Sequence, residues 1–205
     1  MTLAVKRLIR DVARQLPEFS HVRASRVLVV AGDARRASRA TIRPAQVNER
    51  DARRRPGERK PEIRIGGRRV LYVVTLRPLW FVGSTAEQRV ATVLHELYHA
   101  SLRFDGTLHR GRRHSVLPRA RYDAKIRRLR DRYLARAPGA LEPFRHEGWV
   151  RVRMWLERPS AWVDDEGDLG RREYGERQLF VGLMPMSAAR PRRPAARDVK
   201  PSGGR

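Results

Sequence analysis

His95-Glu96-Leu97-Tyr98-His99 places two imidazoles four residues apart, with a carboxylate beside the first. On a helix, positions four apart lie one turn apart on the same face, so both rings can converge on one ion. The glutamate between them is angled toward a water on that ion rather than toward the ion itself. Such a division of labour suits hydrolysis. Zinc lowers the pKa of its water to about 7 and polarises a carbonyl, while the carboxylate takes a proton and returns it to the leaving amine. The competing explanation is coincidence, but a buried helix is an expensive place for two histidines and a glutamate that serve nothing.

A catalytic zinc needs a third protein ligand and an open fourth position. The chain contains no cysteine, which excludes a thiolate ribbon, an iron–sulfur site, a disulfide scaffold and a cysteine nucleophile. Any metal therefore falls to histidine and carboxylate, and a histidine-rich set favours zinc (Zn2+). The candidates downstream are Asp105, His109, His114 and, farther off, His146 and Glu147. Asp105 sits in Phe104-Asp105-Gly106-Thr107, which reads first as a turn. His109 and His114 flank a glycine-containing loop, Arg110-Gly111-Arg112-Arg113, able to fold back over the helix. Spacing alone does not separate them. His21 and His146 stand alone and read as ordinary histidines. Tyr98 and Tyr122 could each assist an oxyanion, although Tyr122 falls on the apolar stripe of its own helix.

The elements that must position these groups follow from periodicity. Ser84-Thr85-Ala86-Glu87 has capping-box spacing, with Ser84 as N-cap and Glu87 reaching back. Val90, Val93, Leu94, Leu97 and Ser101 or Leu102 then form one helical stripe. A second helix is expected over Arg119 to Ala137, with Tyr122, Ile126, Leu129, Tyr133 and Leu134 facing inward and Pro138-Gly139 ending it. Upstream, Leu8, Ile9, Val12 and Leu16 mark a docking helix stopped by Pro17. Strands are expected at Arg26–Ala31, near Ala40–Arg43 and at Arg68–Leu76, the last interrupted by Pro78 ahead of Leu79-Trp80-Phe81-Val82. Trp149 to Leu156 alternates with period two, Val150, Val152, Met154 and Leu156 facing the core. Gln178–Leu183 can pair with it.

The 205 residues hold 46 Lys+Arg against 22 Asp+Glu, a net charge of +24. That excess points toward polyanions. Only Lys6, Lys60, Lys125 and Lys200 are lysines, and an arginine bias of this kind also arises from a GC-rich genome. The segment 35–64 holds eleven basic and four acidic residues and reads as a strand followed by a basic loop. No run approaches the roughly 20 apolar residues that span a bilayer, and Lys6, Arg7 and Arg10 fall where a secretion signal needs an apolar core. A cytoplasmic protein without a membrane partner is the expectation. The face Trp149, Arg151, Arg153 and Trp155 could stack bases and reach phosphates; packing of both tryptophans against a neighbouring strand or loop is the simpler expectation.

The run His95-Glu96-Leu97-Tyr98-His99-Ala100-Ser101, followed by Phe104-Asp105-Gly106, His114-Ser115 and Arg121-Tyr122-Asp123, resembles the phage-type metallopeptidases, which look like compact relatives of the SprT-like zinc metallopeptidases. The likeness covers about residues 65 to 135. It implies that His95 and His99 are ligands, Glu96 the base and His114 the third ligand. Ser115 stands where that family often has glycine, which keeps His109 as the alternative. The cysteine ribbon that SprT-like proteins often add is missing here.

These readings combine into an α+β fold: a short twisted sheet packed on the metal-binding helix and a second helix, minimal and zincin-like, over residues 1–137. A C-terminal β extension follows over 138–186, then a disordered basic tail over 187–205. The expected function is zinc-dependent hydrolysis of a protein or peptide substrate. The alternatives are a basic nucleic-acid-binding protein whose metal site is structural or vestigial, or a protease acting on DNA-bound proteins.

Overall fold

Pro17 decides where the first helix stops. The residue before a proline is driven out of the helical region, and Leu16 is extended at φ −114°, ψ 115°. Helix α1 accordingly covers Thr2–Gln15, burying Val5, Leu8, Ile9 and Val12. The structure, a computed structural model, describes residues 1–32, 39–45, 61–112, 116, 118–159 and 171–187; for Leu79 and Trp80 it describes the backbone alone. Most of the basic loop expected before residue 64 and the whole of the tail from 188 onward lie outside these residues.

Strands β1 (Val27–Ala31), β2 (Ala40–Pro44), β5 (Tyr72–Leu76), β6 (Gly148–Trp155) and β8 (Leu179–Met186) form one mixed sheet in the order β2-β5-β1-β6-β8. All five residues of β1 are buried, as befits a central strand with both faces covered. It runs parallel to β5 over its full length, Val27↔Tyr72 to Ala31↔Leu76. Beside β6 it pairs only at Ala31↔Met154. The last two strands form an antiparallel ribbon, Gly148↔Met186 to Trp155↔Leu179.

On one face of the sheet, α1, α3 (Ala86–Tyr98) and α4 (Arg119–Arg136) pack over Val27, Val29, Tyr72, Val74 and Ile42. On the other, Leu28 and Val30 meet a small sheet of β4 (Arg68–Arg69), β3 (Glu62–Ile65) and β7 (Glu173–Tyr174) through Ile63 and Tyr174. The fold is therefore α+β. Among the described residues no helix is long and apolar enough to cross a membrane.

Several boundaries fall differently from the sequence expectation, each for a local reason. The strand expected over Arg68–Leu76 is divided, because Gly66 and Gly67 at φ +56° and +69° make a tight turn that commits Arg68 and Arg69 to a hairpin with Ile65 and Arg64. Leu79–Val82 belongs to a short helix, α2 (Pro78–Val82); proline at the first helical position lacks only an N–H that would be unpaired anyway. The cap of α3 is Thr85, one residue later than expected: its Oγ1 accepts from Gln88 N–H at 3.2 Å while Gln88 Oε1 accepts from Thr85 N–H at 3.1 Å. That helix ends at Tyr98, so Leu102 lies beyond it and is exposed. Leu156 lies just past β6 and is exposed too. Short α5 (Glu142–Arg145) closes the helical layer with Phe144 buried.

Where β1 and β6 diverge, Lys6 enters the gap and donates to the Val27 carbonyl. Burial first, then repulsion from Arg153 and Arg10, lowers its pKa from 10.5 to about 8. Between those two values the unfolded chain holds a proton that the folded chain has lost, so this group adds stability as pH rises from 8 toward 10.5. Relative to Lys6→Met, the wild-type protein is expected to gain melting temperature between pH 8 and pH 10. Parallel thermal melts check this, and equal shifts in both proteins would contradict it.

Candidate metal centre

The last turn of α3 carries His95 and Glu96, and His99 caps the helix at φ −76°, ψ −17°. Because the cap keeps right-handed helical geometry, the His99 ring stays in register with His95 one turn earlier. Their Nε2 atoms lie 3.4 Å apart. Two zinc–nitrogen bonds of about 2.0–2.1 Å at a tetrahedral angle separate their nitrogens by about 3.3–3.4 Å, so the pair already has the spacing that one tetrahedral ion requires. Two half-buried imidazole nitrogens form a donor set suited to a borderline-soft dication.

Glu96 is buried on the sheet side of the same turn. The outermost strand β2 supplies its partner: Ile42 N–H donates to Glu96 Oε2 at 2.8 Å. Among the described residues β2 pairs with β5 alone, so its outward amides face no described strand, and Glu96 takes one of them. Burial pushes the carboxyl up to about 8, opposed by the Ile42 hydrogen bond. A nearby cation would draw it back down.

Helix α4 brings Tyr122 into the same space. Its ring stacks on His99 at 5.3 Å between centroids and meets His95 edge-on at 4.7 Å. Its hydroxyl donates to the His95 carbonyl at 3.2 Å and lies 3.3 Å from His99 Nε2. Tyr122 is thus a core residue and a neighbour of both imidazoles. Burial raises its pKa, and the charge of Glu96 adds to the rise.

Beyond α3 the chain folds back over the helix. Asp105 accepts from Thr107 N–H and Oγ1 at 3.0 and 2.7 Å, the turn role its sequence setting indicated. Gly106, at φ +87°, donates to Tyr72 Oη at 3.2 Å, and Tyr72 Oη donates to the Thr107 carbonyl at 2.7 Å. These bonds pin the turn to the sheet. His109 N–H then donates to the His99 carbonyl at 2.8 Å. Arg112 lies 4.0 Å above the Tyr98 ring and donates to the Tyr98 carbonyl at 3.2 Å.

Among the described residues, no group of three or more His, Cys, Asp or Glu side chains forms a metal-binding cluster. The His109 ring does not complete one with His95 and His99, and its Nδ1 is buried without a hydrogen-bond partner. His114 lies outside the described residues, two positions past Arg112. His146, Glu147, Trp149 and Arg151 are exposed on or just before β6. On that strand Trp155 packs edge-on against Tyr174 at 6.2 Å, whereas Trp149 is 68% exposed. The expected packing of both tryptophans holds for one alone, because β7 covers only the far end of the ribbon.

Sequence reasoning missed the Ile42 amide, since nothing in residues 40–44 announces which side chain their free edge will meet. It underweighted Tyr122, whose place on the apolar stripe of α4 was the available signal. A family model described as Putative phage metallopeptidase matches residues 2–127. No curated protein and no solved structure matches the chain.

Proposed function

The chain belongs to the phage metallopeptidase family, and we propose that it hydrolyses peptide bonds with a zinc ion held by His95, His99 and His114 and with Glu96 as the general base. The observation that carries this reading is the 3.4 Å separation of the two Nε2 atoms beside a buried carboxylate on the same helical turn. When bound, zinc supplies Lewis acidity, polarising the scissile carbonyl and bringing the pKa of water to about 7. His95 and His99 hold their rings on one side through helical register and the Tyr122 ring. Glu96 keeps Oε2 on the Ile42 amide, which leaves Oε1 to take the proton of the attacking water and pass it to the leaving nitrogen. Tyr122, through its hydroxyl, could steady negative charge developing on the substrate oxygen. His109 is the alternative third ligand, and a swing of its ring would be needed to serve. The zincin-like character of the fold, kinship with SprT-like enzymes and a cytoplasmic location belong to the same reading.

The test joins metal content to turnover. Purified protein should carry zinc, lose peptide hydrolysis on chelation and regain it when zinc is restored. His114→Ala should lose the metal and His109→Ala keep it; the reverse pattern moves the third ligand to His109. Hydrolysis that persists in chelator, or zinc retained after loss of both His95 and His99, would overturn the assignment.

A further inference from the structure

The β6–β8 ribbon lies wholly beyond the family-matched segment, which ends at residue 127, and the proposed hydrolysis makes no use of it. Alternation along β6 and its register with β8 put Trp149, Arg151 and Arg153 on one face, across from Pro185, Leu183 and Val181. Trp149 is 68% exposed, Leu183 62% and Val181 60%, and Arg151 is exposed as well. A large aromatic left open to water beside arginines, with apolar neighbours, is an unusual surface for a strand that packs its other face through Val150 and Val152.

We propose that this face binds single-stranded nucleic acid, a base stacking on Trp149 while Arg151 reaches the adjacent phosphate. The charge fits such a partner. The protein carries +24 overall, and residues 188–205 begin two positions past Met186, which pairs with Gly148 beside Trp149. That stretch holds Arg190, Arg192, Arg193, Arg197, Lys200 and Arg205 against the single acid Asp198. Nearby carboxylates are few among the described residues: Glu147 precedes the strand, and Glu176, whose pKa Arg153 helps to lower, is held by the Gly66 amide. A second copy of the chain is disfavoured, because a two-fold contact would bring like-charged surfaces together. Duplex is disfavoured because its bases are already stacked, whereas an open single strand offers a free π-face to the ring.

Binding of a labelled oligothymidylate of about twenty nucleotides, followed by anisotropy across a salt series, tests the proposal. Trp149→Ala should weaken binding roughly tenfold, the loss of one stacked base, and Trp149→Phe should restore most of it. Heparin, a polyanion without bases, should bind Trp149→Ala and wild type alike. Arg151→Ala should reduce the salt slope by somewhat under one unit, the loss of about one single-strand phosphate contact. Equal oligothymidylate affinity for wild type and Trp149→Ala overturns the proposal, as does an equal loss of oligothymidylate and heparin binding. So does tighter binding of duplex than of single strand, or self-association through this face in place of binding.

Discussion

Replacing Glu96 by glutamine is expected to cut kcat by roughly a hundred- to ten-thousandfold, the range a positioned general base contributes, while zinc content stays unchanged. Glutamine has the same shape, and its carbonyl oxygen can accept from Ile42 N–H as Glu96 Oε2 does at 2.8 Å. What it cannot do is take a proton. Because Glu96 is buried and its charged form is disfavoured there, the neutral amide should not lower the melting temperature. Steady-state kinetics, elemental analysis and thermal melts on the one variant therefore separate chemistry from folding. Turnover equal to wild type would remove Glu96 from the mechanism, and loss of zinc would make it a structural partner of the ligands.

Arg89→Met is expected to destabilise the fold by about 3–5 kcal/mol, the scale of losing several hydrogen bonds made by one buried charged donor. Arg89 is 1% exposed and forms no ion pair with any described residue. Carbonyl oxygens surround it instead. Nε donates to Phe81 at 2.8 Å and Nη1 to Phe144 at 2.5 Å, while Nη2 donates to Val82 and, at 2.7 Å, to Ser187. One guanidinium thus joins the end of α2, the end of α5 and the exit of β8 to α3. Methionine fills much of the volume but donates to none of these carbonyls; that of Phe81 keeps the Ser84 amide at 3.4 Å and that of exposed Ser187 can turn to water, so the cost falls chiefly on Phe144 and Val82. For a domain of this size the melting temperature should fall by about 10 °C. Arg89→Lys should recover little, since an ammonium cannot fan out to four acceptors. A variant that melts with wild type would show that water satisfies these groups.

The three long helices, among them the one that carries His95 and Glu96, were legible because their information is local. The four-residue spacing of His95 and His99 and the stripe Tyr122, Ile126, Leu129 and Tyr133 depend on helical period alone. Pairing of 178–183 with 149–156 was legible on thinner grounds: alternation marks 149–156, whereas Leu179-Phe180-Val181 is a short apolar run that follows it in sequence. Long-range contacts were not. The Ile42 amide meets Glu96 across 54 positions, and a backbone donor carries no residue-type signal. Arg89 carries no local mark of burial, and only the convergence of three chain segments makes it a buried hub. The cap moved from Ser84 to Thr85 because two adjacent hydroxyl residues offer two registers, Glu87 serving one and Gln88 the other.

The position of β1 has a consequence for how the chain is made. Its neighbours β5 and β6 come from opposite sides of the helical layer in sequence, β6 arriving only at residue 148. During synthesis, which proceeds at about 5–20 residues per second, the segment carrying the histidines leaves the ribosome several seconds before β6, which meets the second edge of β1 at Ala31. Throughout that interval the most apolar strand of the protein has a bare row of amides and carbonyls, the state from which strands pair wrongly with other chains. Lys6, made before that edge, puts a charge beside it as a gatekeeper for the nascent chain and stays where β1 and β6 diverge.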